Sequence, residues 1–366
     1  MSSAGEFEAL VAGLSEVKPA AGLEEHPPMR RVAVLGAGPV GQALACECLA
    51  AECEVTLYTA FEPERAALAG PRAVTIRGEH LIGTYRFADG PSSEPAIGLR
   101  AGIDDAVADA DAILIATPAI AHATCAGLLA ERLRPEHLLV LIPGRWFGAI
   151  DVARSLRRFA APALPTIVEL AASPYRVESS QPGALTITAV SQNVPAAALP
   201  NRGTERAITR LRTILPMLAP ARGVLETTFA DLSGVIDVPR ALLRDPESVV
   251  RQIDDERRRV AFAYGVRELP RAPLDEELPP VLERGDQRVH DALCCSLVPL
   301  VSAGELAGVT TRTAAAMVDL GSVLGKLDYA RHGRTLPSLG LDRLRPDDIR
   351  RALDGGDAAL LEQALA

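Results

Sequence analysis

The sequence predicts an α/β protein, with a doubly wound parallel sheet over residues 30–197 followed by an all-helical domain over residues 198–366. Three observations carry this expectation. Strand-like apolar runs alternate with helical stretches up to about residue 190, and a glycine-rich turn joins the first strand to the first helix. After about Ala198 the pattern is helical, interrupted by Pro216, Pro220, Pro239 and Pro246. The length of 366 residues fits two domains of roughly 100–200 residues each.

The elements follow in order. Residues 1–29 read as a leader, either a short docking helix with Phe7, Leu10, Val11, Leu14 and Val17 as its apolar pattern or a disordered segment, closed by Pro27-Pro28. Arg31-Val32-Ala33-Val34-Leu35 has the composition of a buried strand, residues 41–51 that of a helix, and Glu54-Val55-Thr56-Leu57-Tyr58 that of a second strand. Residues 73–87 predict a hairpin. A helix over 104–110 feeds a strand over 112–116, and a helix over 121–132 feeds a strand over 138–142. Strands over 166–169 and 185–190 complete the sheet, and residues 268–280 form a loop within the helical domain.

Composition limits the function. Apolar residues make up 48% and charged residues 23%, enough for sizeable cores. A net charge of -9 argues against a nucleic-acid partner, which requires a basic face. The six cysteines have no metal-ligand spacing, so no metal site is expected, and they read as buried, reduced thiols of a cytoplasmic protein. The N-terminus lacks the basic-then-apolar order of a signal peptide, and no apolar run reaches the roughly 20 residues that cross a bilayer, so no membrane partner is expected.

Gly36-Ala37-Gly38-Pro39-Val40-Gly41 is a GxGxxG segment lying between strand and helix, the context its chemistry requires. The first glycine allows a tight turn and the second lets backbone N–H groups approach a pyrophosphate. The third allows close packing of helix on strand, and the helix N-terminus favours the anion. The reading is a Rossmann domain for a nicotinamide dinucleotide. An acid at the end of the second strand would bind the ribose hydroxyls and repel a 2′-phosphate. Here that strand ends Leu57-Tyr58-Thr59-Ala60, with Thr59 able to bond a phosphate and Arg65 able to neutralise it. The lean is toward NADP(H), with NAD(H) left open by Glu62 and Glu64.

Several further segments occur in an order that resembles the octopine, nopaline and related opine dehydrogenases. They are Leu114-Ile115-Ala116-Thr117-Pro118-Ala119-Ile120-Ala121-His122, Leu141-Ile142-Pro143-Gly144-Arg145-Trp146-Phe147-Gly148-Ala149, and Pro174-Tyr175 after a strand bearing Glu169. In the helical part they are Leu297-Val298-Pro299, Gly304-Glu305-Leu306-Ala307-Gly308-Val309 and Gly333-Arg334-Thr335-Leu336-Pro337-Ser338-Leu339-Gly340-Leu341. The resemblance spans roughly residues 30–355. It implies an oxidoreductase that reduces, with NAD(P)H, the imine formed from an amino acid and a 2-oxo acid, so the implied partners are small molecules: amino acid, keto acid or imine. It places Thr117, Pro118, Pro143 and Gly144 at the cofactor and Arg145 and Tyr175 at the substrate; a homodimer is compatible with such a scaffold. An arginine at a strand end pairs well with a substrate carboxylate and equally well with a structural one. Trp146, the only tryptophan, is expected beside the cleft.

The resemblance also implies a general acid/base His before a Pro early in the helical domain, and here Asp231-Leu232-Ser233-Gly234-Val235-Ile236-Asp237-Val238-Pro239 stands in its place. Three readings follow. Asp237 acts as acid/base with a pKa raised by burial, His290 takes the role beside Asp237 or Asp291, or the function is lost. Against these stand Asp237 as a helix N-cap and His290 as a surface residue. His122 is expected to pack near the cleft. The overall expectation is reduction of a C=N or C=O bond of a specialised substrate. The alternatives are a ketopantoate-reductase-like hydroxyacid dehydrogenase, which would need a Lys or His at the nicotinamide although Lys18 and Lys326 are the only lysines, and a non-catalytic cofactor-binding scaffold.

Overall fold

A computed structural model describes residues 29–88, 94–162, 164–273, 281–283 and 285–354. The expected leader, apart from Met29, and residues 274–280 of the expected loop lie outside these.

Strand β1 (Arg31–Leu35) is apolar in four of its five positions and lies at the middle of a twelve-stranded sheet, with β2 (Glu54–Tyr58) on one side and β6 (Ala112–Ile115) on the other, both parallel to it. Beyond β6 come β7 (Leu138–Leu141) and β8 (Thr166–Leu170), also parallel. Every residue of β6 and β7 is buried because helices cover both sheet faces, which explains why these strands read as unbroken apolar runs. Helix α1 (Pro39–Ala50) links β1 to β2, α2 (Glu62–Ala69) follows β2, and α3 (Ile103–Val107) precedes β6. Helices α4 (His122–Leu129) and α5 (Gly148–Arg158) follow β6 and β7. Connections leave β1 in one direction and β6 in the other, so a crevice opens at their carboxyl ends, where such sheets bind ligands.

The structure adds elements that the sequence pattern does not announce. Strand β5 (Ile97–Arg100) pairs parallel with β2 and is the third strand of the dinucleotide half. The expected hairpin is β3 (Ala73–Gly78) with β4 (Gly83–Ala88), and β10 (Ala184–Val190) pairs with β3 and with β9 (Tyr175–Gln181) at the far edge. On the opposite edge, β11 (Val194–Leu199) runs antiparallel to β8, and β12 (Leu218–Pro220) runs parallel to β11, with α6 (Thr204–Leu211) between them. The boundary expected at residue 197 therefore falls inside β11, and the sheet ends only at Pro220.

The remainder is helical: α7 (Val224–Ala230), α8 (Ser233–Leu242), α9 (Glu247–Ala263), α10 (Gln287–Ala292), α11 (Val298–Ala307), α12 (Arg312–Gly325), α13 (Tyr329–His332) and α14 (Pro346–Leu353). A wide π turn, Leu293–Leu297, joins α10 to α11 just ahead of Pro299, whose missing N–H disturbs the regular ladder. The combined helix Gln287–Ala307 is apolar and mostly buried, the core helix of this part. Its Leu293, Leu297 and Leu300 join one hydrophobic cluster with Ile113, Ile115 and Leu139 of the sheet, so one core continues from sheet to helices. A second cluster fills the opposite face, beneath α1.

Candidate active site

The glycine loop has the geometry that its sequence predicts. Gly36 has φ +108°, and a Cβ there would meet the Ala116 carbonyl oxygen at 2.8 Å. A Cβ on Gly41 would overlap the Gly36 carbonyl. Around Gly38, by contrast, no atom of the described residues beyond its chain neighbours and own helix lies within 4 Å of an added Cβ. Gly38 is also the N-cap of α1 and offers no side chain to its open N–H groups, while Gln42 braces the loop by donating to the Ala37 carbonyl at 2.7 Å. Two glycines are thus demanded by the protein, and the third leaves space in front of a helix N-terminus. This cradle of Gly36, Ala37, Gly38, Pro39, Val40 and Gly41 fits a dinucleotide pyrophosphate.

At the end of β2 the two residues expected to bind a 2′-phosphate are already engaged. Thr59 donates its hydroxyl to Glu64 Oε2 at 2.6 Å and accepts from the Phe61 N–H at 3.2 Å. Arg65 pairs with Glu62. Glu64, one of the two acids that leave NAD(H) open in the sequence, lies five residues past Thr59 on α2 and returns to the strand end through that hydroxyl.

Across the crevice, Thr117 and Pro118 follow β6, and Pro143-Gly144-Arg145 follows β7 after a cis Ile142–Pro143 bond. The left-handed backbone of Arg145 (φ +62°) turns its side chain toward the helical part. There its Nε donates to Asp291 at 3.1 Å and its NH1 to Asp231 at 3.0 Å. Asp231 also accepts from the hydroxyls of Ser233 and Ser296, and Asp291 from the Ile120 N–H at 2.9 Å. Burial opposes the charge on Arg145, yet Asp231, Asp291 and Asp237 together raise its pKa above the ordinary arginine value. Arg145 is thus both the strand-end arginine that the sequence singles out and half of a structural clamp. Asp291 holds that clamp, and Asp231, not singled out as a site residue, holds its other side.

Asp237 lies within α8, so it is not an N-cap. It is half-buried, and among the described residues no hydrogen bond to its carboxylate is found. Desolvation raises its pKa, offset by the field of Arg145 and reinforced by Asp231. His290 is directed elsewhere: its Nδ1 lies 3.0 Å from the Tyr329 hydroxyl, with which its ring also packs. The structure brings Asp291 to Arg145, sets Asp237 within the field of that guanidinium, and leaves His290 on the Tyr329 side of the helix. The substrate role expected for Tyr175 is corrected. Tyr175 opens β9 behind α1, where its hydroxyl donates to Glu47 at 2.7 Å and its ring stacks on His80. Trp146 has its backbone beside the cleft but its ring buried against Phe147 and Phe229.

Three further residues support the cleft. His122, fully buried with neither ring nitrogen bonded among the described residues, has its pKa lowered to about 4 by desolvation and then by Arg334, so it stays neutral. Glu169, at the end of β8, accepts from the Ala149 N–H at 2.7 Å and from Thr227 at 2.5 Å, and its Cβ lies 2.5 Å from where a Cβ on Gly144 would sit. Burial pushes its pKa up to about 7 against those hydrogen bonds. Arg334 reaches from the helical part to Asp151 on α5 and to the Trp146 carbonyl at 2.7 Å.

Comparison with known proteins agrees with this geometry. No protein-family profile matches the sequence. An opine dehydrogenase of Arthrobacter sp. (strain 1C) is 27% identical over 363 residues, covering 88% of this chain and 98% of that one. The structure of octopine dehydrogenase with NADH and pyruvate superposes with a TM-score of 0.66 at 14% identity, over 90% of this chain and 98% of that one. Yersinopine dehydrogenase bound to NADP+ gives 0.59 at 15% identity, over 92% and 98%. The 2-dehydropantoate 2-reductase of Methylococcus capsulatus gives 0.59 at 18% identity, over 84% and 99%. The glycine cradle, the crevice it faces and these likenesses together make the chain a divergent relative of the opine dehydrogenases and an NAD(P)-dependent oxidoreductase.

Proposed function

We propose that the protein reduces a C=N bond, with Asp237 as the residue that faces the substrate nitrogen. The observation that supports this most strongly is the desolvated carboxyl of Asp237, which has no hydrogen-bond partner among the described residues and lies in the field of Arg145 on the loop after β7. When bound, the nicotinamide supplies a hydride to the carbon of the C=N bond. The chain's own residues then hold the substrate and manage charge at the nitrogen. Arg145 and Asp291 fix the floor of the site, and neutral His122 adds no charge to it. A ketopantoate-type reaction has less support, since Lys326, the one lysine among the described residues, is exposed at the C-cap of α12.

The test is cofactor oxidation, followed spectrophotometrically, with preformed imines and with amino-acid and 2-oxo-acid pairs. Asp237→Asn is expected to lower kcat by about 100-fold, within the range of a lost acid/base or charge-stabilising group. Wild-type turnover in the variant would overturn the role of Asp237.

The cofactor reading favours NADH. Glu64, held by Thr59 at the end of β2, offers a carboxylate that can accept from the hydroxyls of a ribose diol and that repels a 2′-phosphate. Glu64→Gln is expected to raise the NADH dissociation constant and lower that of NADPH, each by several-fold, in titrations that follow reduced-nicotinamide fluorescence. An unchanged ratio of the two constants would reject Glu64 as the selector. Trp146 is a poor reporter for this because its ring is buried.

A further inference from the structure

We propose that the substrate enters as a preformed cation, an iminium or protonated cyclic imine with no carboxylate of its own, and that the Asp237 carboxylate is its counter-ion. This rests on the reading of the protein as a C=N reductase and adds the charge class of the substrate.

The charges around Arg145 decide which ligands the site can take up. Binding a carboxylate substrate needs a cation with hydrogen-bonding capacity to spare. Arg145, the arginine at the strand end, is 13% exposed and already gives its Nε to Asp291 and its NH1 to Asp231. Asp237 makes a third carboxylate acting on the same guanidinium. The other cations whose field reaches Asp237 are Arg240 and Arg288. Arg288 is held two-pronged by Asp286, at 3.0 and 2.6 Å, and Arg240 is not free either. Arg334, deeper in, is bound to Asp151 and the Trp146 carbonyl. With these pairs made, Asp237 remains as an excess negative charge without a bonded cation among the described residues. Adding one or two substrate carboxylates would increase that excess in a partly dehydrated site, whereas a cation would offset it.

Asp237 itself calls for a cation. A half-buried carboxylate without a hydrogen-bond partner is costly in the free protein, as its upward pKa displacement through burial reflects. A ligand N–H+ or N-alkyl cation relieves that cost on binding. His122 is wholly buried and unbonded near Asp291, and being neutral it does not compete with such a ligand.

The chemistry balances without a general acid. Hydride from the reduced nicotinamide bonds to the iminium carbon, the π electrons of the C=N bond pass to nitrogen, the nitrogen keeps the substituents it arrived with, and the products are a neutral amine and oxidised nicotinamide. A catalytic histidine is not required for this, which fits His290 lying against Tyr329.

The test uses the full-length protein with NAD+ present. Quaternary ammonium ions of graded size, from tetramethylammonium to N,N-dimethyltetrahydroisoquinolinium, are titrated calorimetrically beside a neutral hydrocarbon of matching shape. The larger cations are expected to bind, and Asp237→Asn, checked for an unchanged melting temperature, is expected to weaken them by about tenfold or more while leaving the neutral ligand unaffected. N-methyl-3,4-dihydroisoquinolinium should oxidise the reduced cofactor where the matching ketone does not. Absence of cation binding at every size, or equal binding in the variant, overturns the proposal. Oxidation of cofactor with an amino acid and a 2-oxo acid, without cation binding, overturns it while the C=N reductase reading survives. Failure of both reduced cofactors to bind removes that reading itself.

Discussion

Replacing Gly38 by alanine is expected to leave the fold intact and to weaken dinucleotide binding by about tenfold or more, a loss of roughly 1.4 kcal/mol. Among the described residues no atom beyond its chain neighbours and own helix lies within 4 Å of the added methyl group, so packing does not resist it. The space it enters lies directly before the open N–H groups of α1, where a pyrophosphate would make its closest approach. The matched control is Gly41→Ala, whose methyl overlaps the Gly36 carbonyl and which should instead destabilise the fold by about 1–3 kcal/mol. Fluorescence titration with reduced cofactor, paired with thermal melts, separates the two effects. If Gly38→Ala binds as the wild type does, the pyrophosphate does not lie on this cradle.

Glu169→Gln is expected to remove a pH dependence of stability. Burial raises the folded-state pKa of Glu169 to about 7, whereas the unfolded chain titrates near the ordinary 4.5. The stability associated with the protonated carboxyl is complete below about pH 4.5. It is lost as the pH rises toward 7, because the unfolded chain releases its proton first, and the loss levels off beyond. The size is on the order of 3 kcal/mol across that window. A glutamine keeps the shape: its oxygen can accept from the Ala149 N–H while its amide donates to Thr227, whose hydroxyl still has the Val224 carbonyl to bond. The difference in unfolding free energy between variant and wild type should therefore rise from pH 5 to pH 7 and be flat from pH 7.5 to 8.5. Parallel curves would mean that Glu169 is ionised in the folded protein throughout. Because Glu169 packs beneath Gly144, its ionisation also places a charge directly under the cleft loop.

The sequence made the β1–glycine loop–α1–β2 unit legible because each signal is local: an apolar run, three glycines at fixed spacing, and a second apolar run. Strand β5 was hidden for the opposite reason. Ile97-Gly98-Leu99-Arg100 is short, holds a glycine and ends in a charge, and becomes a strand by pairing with β2 and β4. Strand β11, with Pro195 and three alanines, likewise owes its state to β8 and β12. In the site, Arg145, Asp237 and Asp291 could be picked out one by one. That Asp231 and Asp291 both close on Arg145 depends on packing between segments some 86 and 146 residues away. Tyr175 shows the reverse error: it follows β8 in sequence, but its strand crosses to the far edge of the sheet and carries it away from the crevice.

The two arginines that bridge the parts run in opposite directions, Arg145 from the sheet to Asp231 and Asp291, and Arg334 from the helices to Asp151. Pulling the parts away from each other would strand buried charges on both sides at once and split a hydrophobic cluster that spans them. Neither part has an independent thermodynamic existence under such an arrangement. The protein should melt in a single calorimetric transition, and its ligand cleft is a seam inside one cooperative unit rather than a hinge between two.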